Sequence, residues 1–216
     1  MVINLSAEHS LVSNWVSELR DITIQNDRLR FRRNLERIAE VAGYEISKKL
    51  ASVEKPIHTP LATATVKVLA AQPVIGTILR AGLPMHNGLL NYFDRADNAF
   101  LSAYRKHHED GSFEICLEYM SCADLSNRVL ILCDPMLATG ASLVKSAEHL
   151  KAAGNYAELH IVCAIACTQG IEYVQNALPN ATIWCGAIDN GLTDKGYIVP
   201  GLGDAGDLAF GEKIQH

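Results

Sequence analysis

The chain of 216 residues has no CxxC pair, although it carries six cysteines. Cys116, Cys122, Cys133, Cys163, Cys167 and Cys185 stand in or beside apolar runs. That pattern favours buried thiols in a reducing compartment over disulfides or a zinc site. No apolar run approaches the roughly 20 residues that span a bilayer. The first residues, "MVINLSAEHS", have no basic region followed by an apolar core, so no secretory signal is expected. Positive charge is also scarce. Lys and Arg number 19 against 24 Asp and Glu, a net charge of −5. A nucleic-acid binder more often has a net basic surface, so that class is disfavoured. Internal repeats, low-complexity tracts and linkers are missing, and one domain is expected.

What is present is a chain with 49% hydrophobic and 20% charged residues, enough for a sizeable core. "LVSNWVSELR" sets Leu11, Trp15 and Leu19 at helical spacing. Residues 27–51 repeat the period with Phe31, Leu35, Ile38, Ala42 and Ile46. Arg28, Arg30, Arg32, Arg33 and Arg37 crowd the first half of that helix. No aromatic residues interleave with them, so a solvated face or a subunit contact is expected rather than an RNA site. From residue 73 the texture changes. "PVIGTIL", "NAFLSAYR", "GSFEICLEYMS", "RVLILCD", "AELHIVCAIACT" and "ATIWCGAID" read as strands. Helices are expected from Pro84, over 140–153 and over "QGIEYVQNALPN". Apolar strands alternating with helices predict an α/β fold, a mainly parallel sheet flanked by helices.

Ligands of such sheets bind beyond the carboxyl ends of the strands. "RVLILCD" ends there on Asp134, followed by Pro135, Met136, Leu137, Ala138, Thr139, Gly140, Ala141 and Ser142. The small residues let backbone N–H groups approach an anion. Thr139 and Ser142 add hydroxyls, and the next helix points its positive end at the same spot. A phosphate fits that design. The carboxylate beside it calls for a neutral or cationic partner: ribose hydroxyls, Mg²⁺, or positive charge formed in a reaction. A plain Asp-Pro turn with a helix cap would not need so long a stretch without bulk. A P-loop is excluded, because no lysine precedes Ser142 and the first one after it is Lys145.

Two more glycine-bearing stretches stand out. In "TILRAGLPM", Arg80 sits at a strand end beside Gly82, where a guanidinium can grip phosphate as a fork. "GYIVPGLGDAGDLAFG", 196–211, contains a formal G-x-G-x-x-G, but too few residues follow for a dinucleotide-binding unit. An irregular loop is expected instead, whose main chain hydrogen-bonds the edge of a planar ligand between walls of Tyr197, Ile198 and Pro200. Asp204 and Asp207 are its carboxylates.

In order and approximate spacing, "ILRAGLPM", "DPMLATGAS" and "GYIVPGLGDAGDLAFG" resemble the motifs of the uracil phosphoribosyltransferase family. The likeness runs from about Phe31 to the C-terminus. It implies a type I phosphoribosyltransferase fold with a β-arm at about 103–122 and a C-terminal base-binding hood at about 188–211, after N-terminal helices in 1–52. It implies the salvage reaction in which uracil and 5-phospho-α-D-ribose 1-diphosphate (PRPP) give UMP and diphosphate. By the resemblance, Asp134 through Ser142 hold the ribose 5-phosphate and ribose hydroxyls, and Arg80 and Arg105 hold the diphosphate. Ile198, Gly203, Asp204 and Ala205 read uracil, and Asp204 also approaches PRPP. Asp134, Arg80 and Asp204 are the expected catalytic groups. A cytoplasmic homodimer or larger homo-oligomer, a GTP effector, and Mg²⁺ carried mainly by PRPP are also implied, with no nucleic-acid or membrane partner.

The chain departs from the family pattern at Lys106, His107 and His108, and at Met120, Ser121 and Cys122. Cys133 stands where many other phosphoribosyltransferases have a second acid. Two alternatives remain at this stage. One is a phosphoribosyltransferase for another base. The other is a non-catalytic pyrimidine-regulatory protein of the same fold that binds RNA or a nucleotide.

Overall fold

The computed structural model describes residues 1–107 and 113–213, with side chains described outside 103–116. Two helices lead: α1 (Leu11–Arg20), after a short strand β1 (Val2–Asn4), and α2 (Arg28–Ser47). Both begin on side-chain caps. Ser10 accepts the N–H of Val12 and Asp27 that of Arg30. In α2, Phe31, Leu35, Ile38, Ala42 and Ile46 are buried as the period requires. In α1 the expected stripe holds at Leu19 and is corrected in the first two turns. Val12, Val16 and Leu19 are buried, Leu11 is exposed, and Trp15 is half-covered by Arg37. Both stripes satisfy helical spacing, so spacing alone does not choose between them.

Next comes a ribbon of β2 (Ser52–His58) and β3 (Thr63–Leu69), an antiparallel pair outside the main sheet. All seven residues of β2 are exposed, so no buried face announced the ribbon in the sequence.

The remaining strands are β4 (Val74–Leu79), β5 (Asp97–His107), β6 (Phe113–Cys122), β7 (Val129–Cys133), β8 (Met136–Leu137), β9 (Glu158–Cys167) and β10 (Thr182–Asp189). Helices α3 (Leu83–Tyr92), α4 (Ala141–Leu150) and α5 (Thr168–Ala177) connect them. The sheet runs β1-β10-β9-β7-β4-β5-β6, parallel except for β6, with β8 paired to β9. One face packs on α1, α2 and α3, the other on α4 and α5. Burial on both faces explains why β7 and β9 are almost unbroken apolar runs. The stretch expected as an arm at about 103–122 continues the antiparallel edge formed by β5 and β6; His108 lies outside the described residues. Among the described residues no helix is long and apolar enough to cross a membrane.

Helices α2 and α3 touch through their main chains. A Cβ on Gly88 would lie 2.3 Å from the carbonyl oxygen of Glu36. Gly88→Ala must therefore push the helices apart. We expect it to lower unfolding free energy by about 1–3 kcal/mol, as overpacking does, read from denaturant midpoints. An unchanged midpoint would show that the contact is slack.

Candidate active site

Strands β4 and β7 end close together while β9 runs on beside β7, and the carboxyl ends of β4 and β7 carry residues singled out in the sequence. The ends are tied by close main-chain contacts. Gly82, just past β4, has no room for a side chain. A Cβ there would meet Thr77 Oγ1 at 2.3 Å and the carbonyl oxygens of Cys133 and Ile78 at 2.9 Å. The Arg80 turn is thus pressed onto the end of β7, where Asp134 begins. Asp134 donates its N–H to Val162 (3.1 Å), and the Pro135 carbonyl accepts from Ala164 and Ile165, both at 3.0 Å. Leu137 is fully buried in the core. Pro135 and Leu137 therefore anchor the loop to β9. Asp134, Met136, Ala138, Thr139, Ala141 and Ser142 retain surface, and Met136, Ala138, Thr139, Gly140 and Ser142 help line a small pocket.

Gly140 caps α4 with φ +81° and no side-chain bond. The nearest hydroxyl, Thr139 Oγ1, accepts the Ala141 N–H at 3.4 Å. Helix α4 thus presents its positive end at the pocket, the arrangement that takes a phosphate. Helix α5 braces the loop from behind. A Cβ on Gly170 would lie 2.0 Å from the Ala138 carbonyl oxygen. Nothing in "QGIEYV" marked Gly170 for this contact, because the partner is remote in sequence.

The C-terminal stretch forms a hood. It begins with a two-strand turn of β11 (Gly191–Leu192) and β12 (Ile198–Val199). A cis Val199–Pro200 bond and Gly201 (φ +58°) follow. The irregular loop expected over 196–211 is corrected here: its second half is a helix, α6 (Ala205–Phe210), capped by Asp204, which accepts the Asp207 N–H. Ile198 and Ala205 are buried, while Gly203 is exposed with φ +94°. A Cβ on Gly203 would meet only Leu208 Cδ1, at 3.8 Å. Glycine is favoured there by its dihedral, not by crowding.

Two ion pairs involve the carboxylates of this stretch. Arg80 Nη2 donates to Asp207 Oδ1 at 2.6 Å, so the guanidinium read as a phosphate grip rests on a hood carboxylate. Lys213 Nζ lies 3.0 Å from Asp204 Oδ2. Burial pushes the Asp204 carboxyl up, but the Asp207 N–H and the Lys213 ammonium outweigh it, and the group titrates below the usual carboxylate range. Arg105 lies on β5, three residues beyond Ser102, the register partner of Leu79; its side chain is outside the described residues. At the β7 end, burial pushes the Cys133 thiol up to about 12, so it stays neutral. Among the described residues no three His, Cys, Asp or Glu side chains gather as metal ligands. Asp134 offers carboxylate oxygens at the β7 end for a hard cation, and most of its ligands would have to be brought by a phosphorylated substrate and water.

Comparison with known proteins follows the same lines. The family model described as uracil phosphoribosyltransferase matches residues 6–212. A uracil phosphoribosyltransferase of Porphyromonas gingivalis is 52% identical over 214 residues, 99% of each chain. Another, from Thermococcus kodakarensis, is 36% identical over 203 residues, 93% of this chain and 86% of that one. Among solved structures, the AQ2163 protein from Aquifex aeolicus superimposes with a TM-score of 0.87 at 28% identity, covering 100% of both chains. Adenine phosphoribosyl transferase from Trypanosoma brucei shares the fold, with a TM-score of 0.55 at 10% identity over 90% of this chain and 87% of that one.

The brace behind the 138–142 loop gives a direct test of phosphate binding there. Gly170→Ala should displace the Ala138 carbonyl and weaken binding of a phosphorylated sugar by at least about tenfold, roughly one charge-assisted bond. Calorimetry with ribose 5-phosphate measures this. Unchanged affinity would mean that the loop does not form the phosphate site.

Proposed function

The chain belongs to the uracil phosphoribosyltransferase family, and we propose how its residues divide the work of joining uracil to PRPP to give UMP and diphosphate. In that transfer the bond from ribose C1 to diphosphate breaks and a bond from C1 to uracil N1 forms, with loss of the N1 proton. The ribosyl carbon is electron-poor between the two. Three jobs follow: hold the 5-phosphate still, stabilise the positive ring, and take the charge of the leaving diphosphate.

The loop Ala138–Ser142, together with the α4 N-terminus, takes the 5-phosphate. The observation that carries this reading is the open, glycine-capped helix start braced by Gly170. Asp134, at the strand end beside it, binds ribose hydroxyls and faces the cationic ring. Arg80 takes the diphosphate as a bidentate fork, with Arg105 as its expected partner. Arg80 then has to leave Asp207, an exchange of one anion for a more highly charged one. That 2.6 Å pair is partly exposed, and pairs of this kind contribute little to stability, so the exchange is cheap. Asp204, kept ionised, is set to face the phosphoribosyl ligand and uracil. Uracil is read by the main chain of Ile198 and Gly203–Ala205. The positive φ of Gly203 supports an N–H aimed away from the ordinary direction of the chain.

Magnesium, when bound, would offset diphosphate charge. Asp134 is the group suited to approach it, and the neutral thiol of Cys133 leaves the remaining ligands to PRPP and water. A homodimer or larger homo-oligomer is supported by the β2–β3 ribbon, which leaves Val53, Ile57, Leu61 and Val68 exposed. A GTP effector and a cytoplasmic location follow from the family likeness alone.

Initial rates with uracil, cytosine, hypoxanthine and orotate test the base. A site matched to uracil's edge should prefer it to cytosine by roughly 10⁴-fold in kcat/KM. Comparable rates with cytosine would overturn the main-chain readout. For the ring charge, Asp134→Asn keeps the shape and removes the charge. We expect kcat to fall about 10²-fold, more than the PRPP KM rises, as when one preorganised electrostatic group is lost. A pure KM effect would make Asp134 a binding group only.

A further inference from the structure

Arg20 and Asp189 lie outside every motif, yet their contacts converge on the hood. Asp189, the last residue of β10, is 7% exposed. Its carboxylate accepts both arms of the Arg20 guanidinium, Nη1 to Oδ2 and Nη2 to Oδ1, each at 2.8 Å. This is the fork geometry that fixes direction as well as distance. The two side chains also reach a third residue. Gly201 donates its N–H to Asp189 Oδ2 at 2.9 Å, and its carbonyl accepts from Arg20 Nη1 at 3.0 Å. Both main-chain groups of Gly201 are therefore held by one ion pair. Gln25 repeats the device one residue on, donating to the carbonyls of Leu19 (2.8 Å) and Leu202 (3.2 Å).

Gly201 stands between the two parts of the proposed uracil-reading edge, Ile198 on one side and Gly203–Ala205 on the other. Its own turn is tight: a Cβ there would lie 2.1 Å from the Ile198 carbonyl oxygen. Main-chain readout has a particular weakness. A side-chain reader can adjust its rotamer, but a backbone edge selects only as well as its dihedrals are fixed. A loop free to shift by a few tenths of an ångström would accept a ligand with the wrong donor and acceptor order.

We infer that the Arg20–Asp189 pair is a positioning element for base selection, locking the two halves of the uracil-reading edge at a fixed spacing through Gly201. The inference rests on the proposed reading of the hood. Neither side chain is assigned contact with uracil. The pair acts through Gly201, and its loss should appear in base recognition rather than in PRPP binding.

Arg20→Lys keeps the charge and gives up the fork; Arg20→Ala gives up both. The purified full-length variants are compared with the wild type by steady-state kinetics. Uracil KM is expected to rise about tenfold in Arg20→Lys and further in Arg20→Ala, the scale of one charge-assisted bond. The preference for uracil over cytosine should fall by a similar factor, while PRPP KM and kcat at saturation stay within about twofold. Asp189→Asn should reproduce the pattern. If that variant does not fold, Arg20→Lys decides, since Arg20 is 23% exposed. A lowered melting temperature with unchanged uracil KM and unchanged preference would make the pair merely structural and overturn the inference. So would an equal rise in the KM of both substrates. A wild-type protein that fails to turn over uracil would instead overturn the reading of the hood on which the inference depends.

Discussion

The site depends on main chain meeting main chain where no Cβ fits. Gly82 brings the Arg80 turn against the end of β7, and Gly170 brings α5 against the loop that follows. In both places backbone oxygens lie where a side chain would begin. The first contact seats the Arg80 turn beside Cys133, and the second seats the loop that leads into α4. The functional groups are ordinary; the close approach of their supports makes them a site.

Charge is the second constraint, and three ion pairs carry it. Arg80 rests on Asp207, Asp204 on Lys213, and Arg20 on Asp189. The three pairs differ in burial, and with it in role. Arg80–Asp207 is open to water, as the proposed exchange of Asp207 for a phosphate requires. Arg20–Asp189 is more enclosed, bidentate, and bound further to Gly201, so exchange would strip several bonds at once. The hood thus has a contact suited to release and another suited to hold. The N-terminal helices add to the holding side. Arg32 donates to the Ala209 carbonyl at 2.7 Å and lies over Phe210. An arginine of the basic run read as a solvated face or subunit contact therefore helps seat α6.

The sheet was legible because burial on both faces leaves mostly apolar runs in β4, β7, β9 and β10, and such runs survive any detail of packing. Asp134–Ser142 and the Arg80 turn were legible because their chemistry is local: small residues in sequence are small residues in space. The ribbon β2–β3 was not, since its exposed strands have no buried face to impose alternation. Helix α6 was hidden for a related reason. Six residues capped by Asp204, in a stretch of five glycines, carry too few periodic apolar positions to stand out.

The amino-acid sequence alone carried the fold class, the strand ends with their small-residue loop, and the family to which those motifs belong. Each of these is written in patterns that span fewer than about twenty residues or follow from burial alone. The tertiary structure decided which residues support them. Gly170 and Ala138, Arg80 and Asp207, and Arg20, Asp189 and Gly201 meet from distant parts of the chain. No local pattern encodes such meetings, because they follow from strand order and from the way the helices close over the sheet.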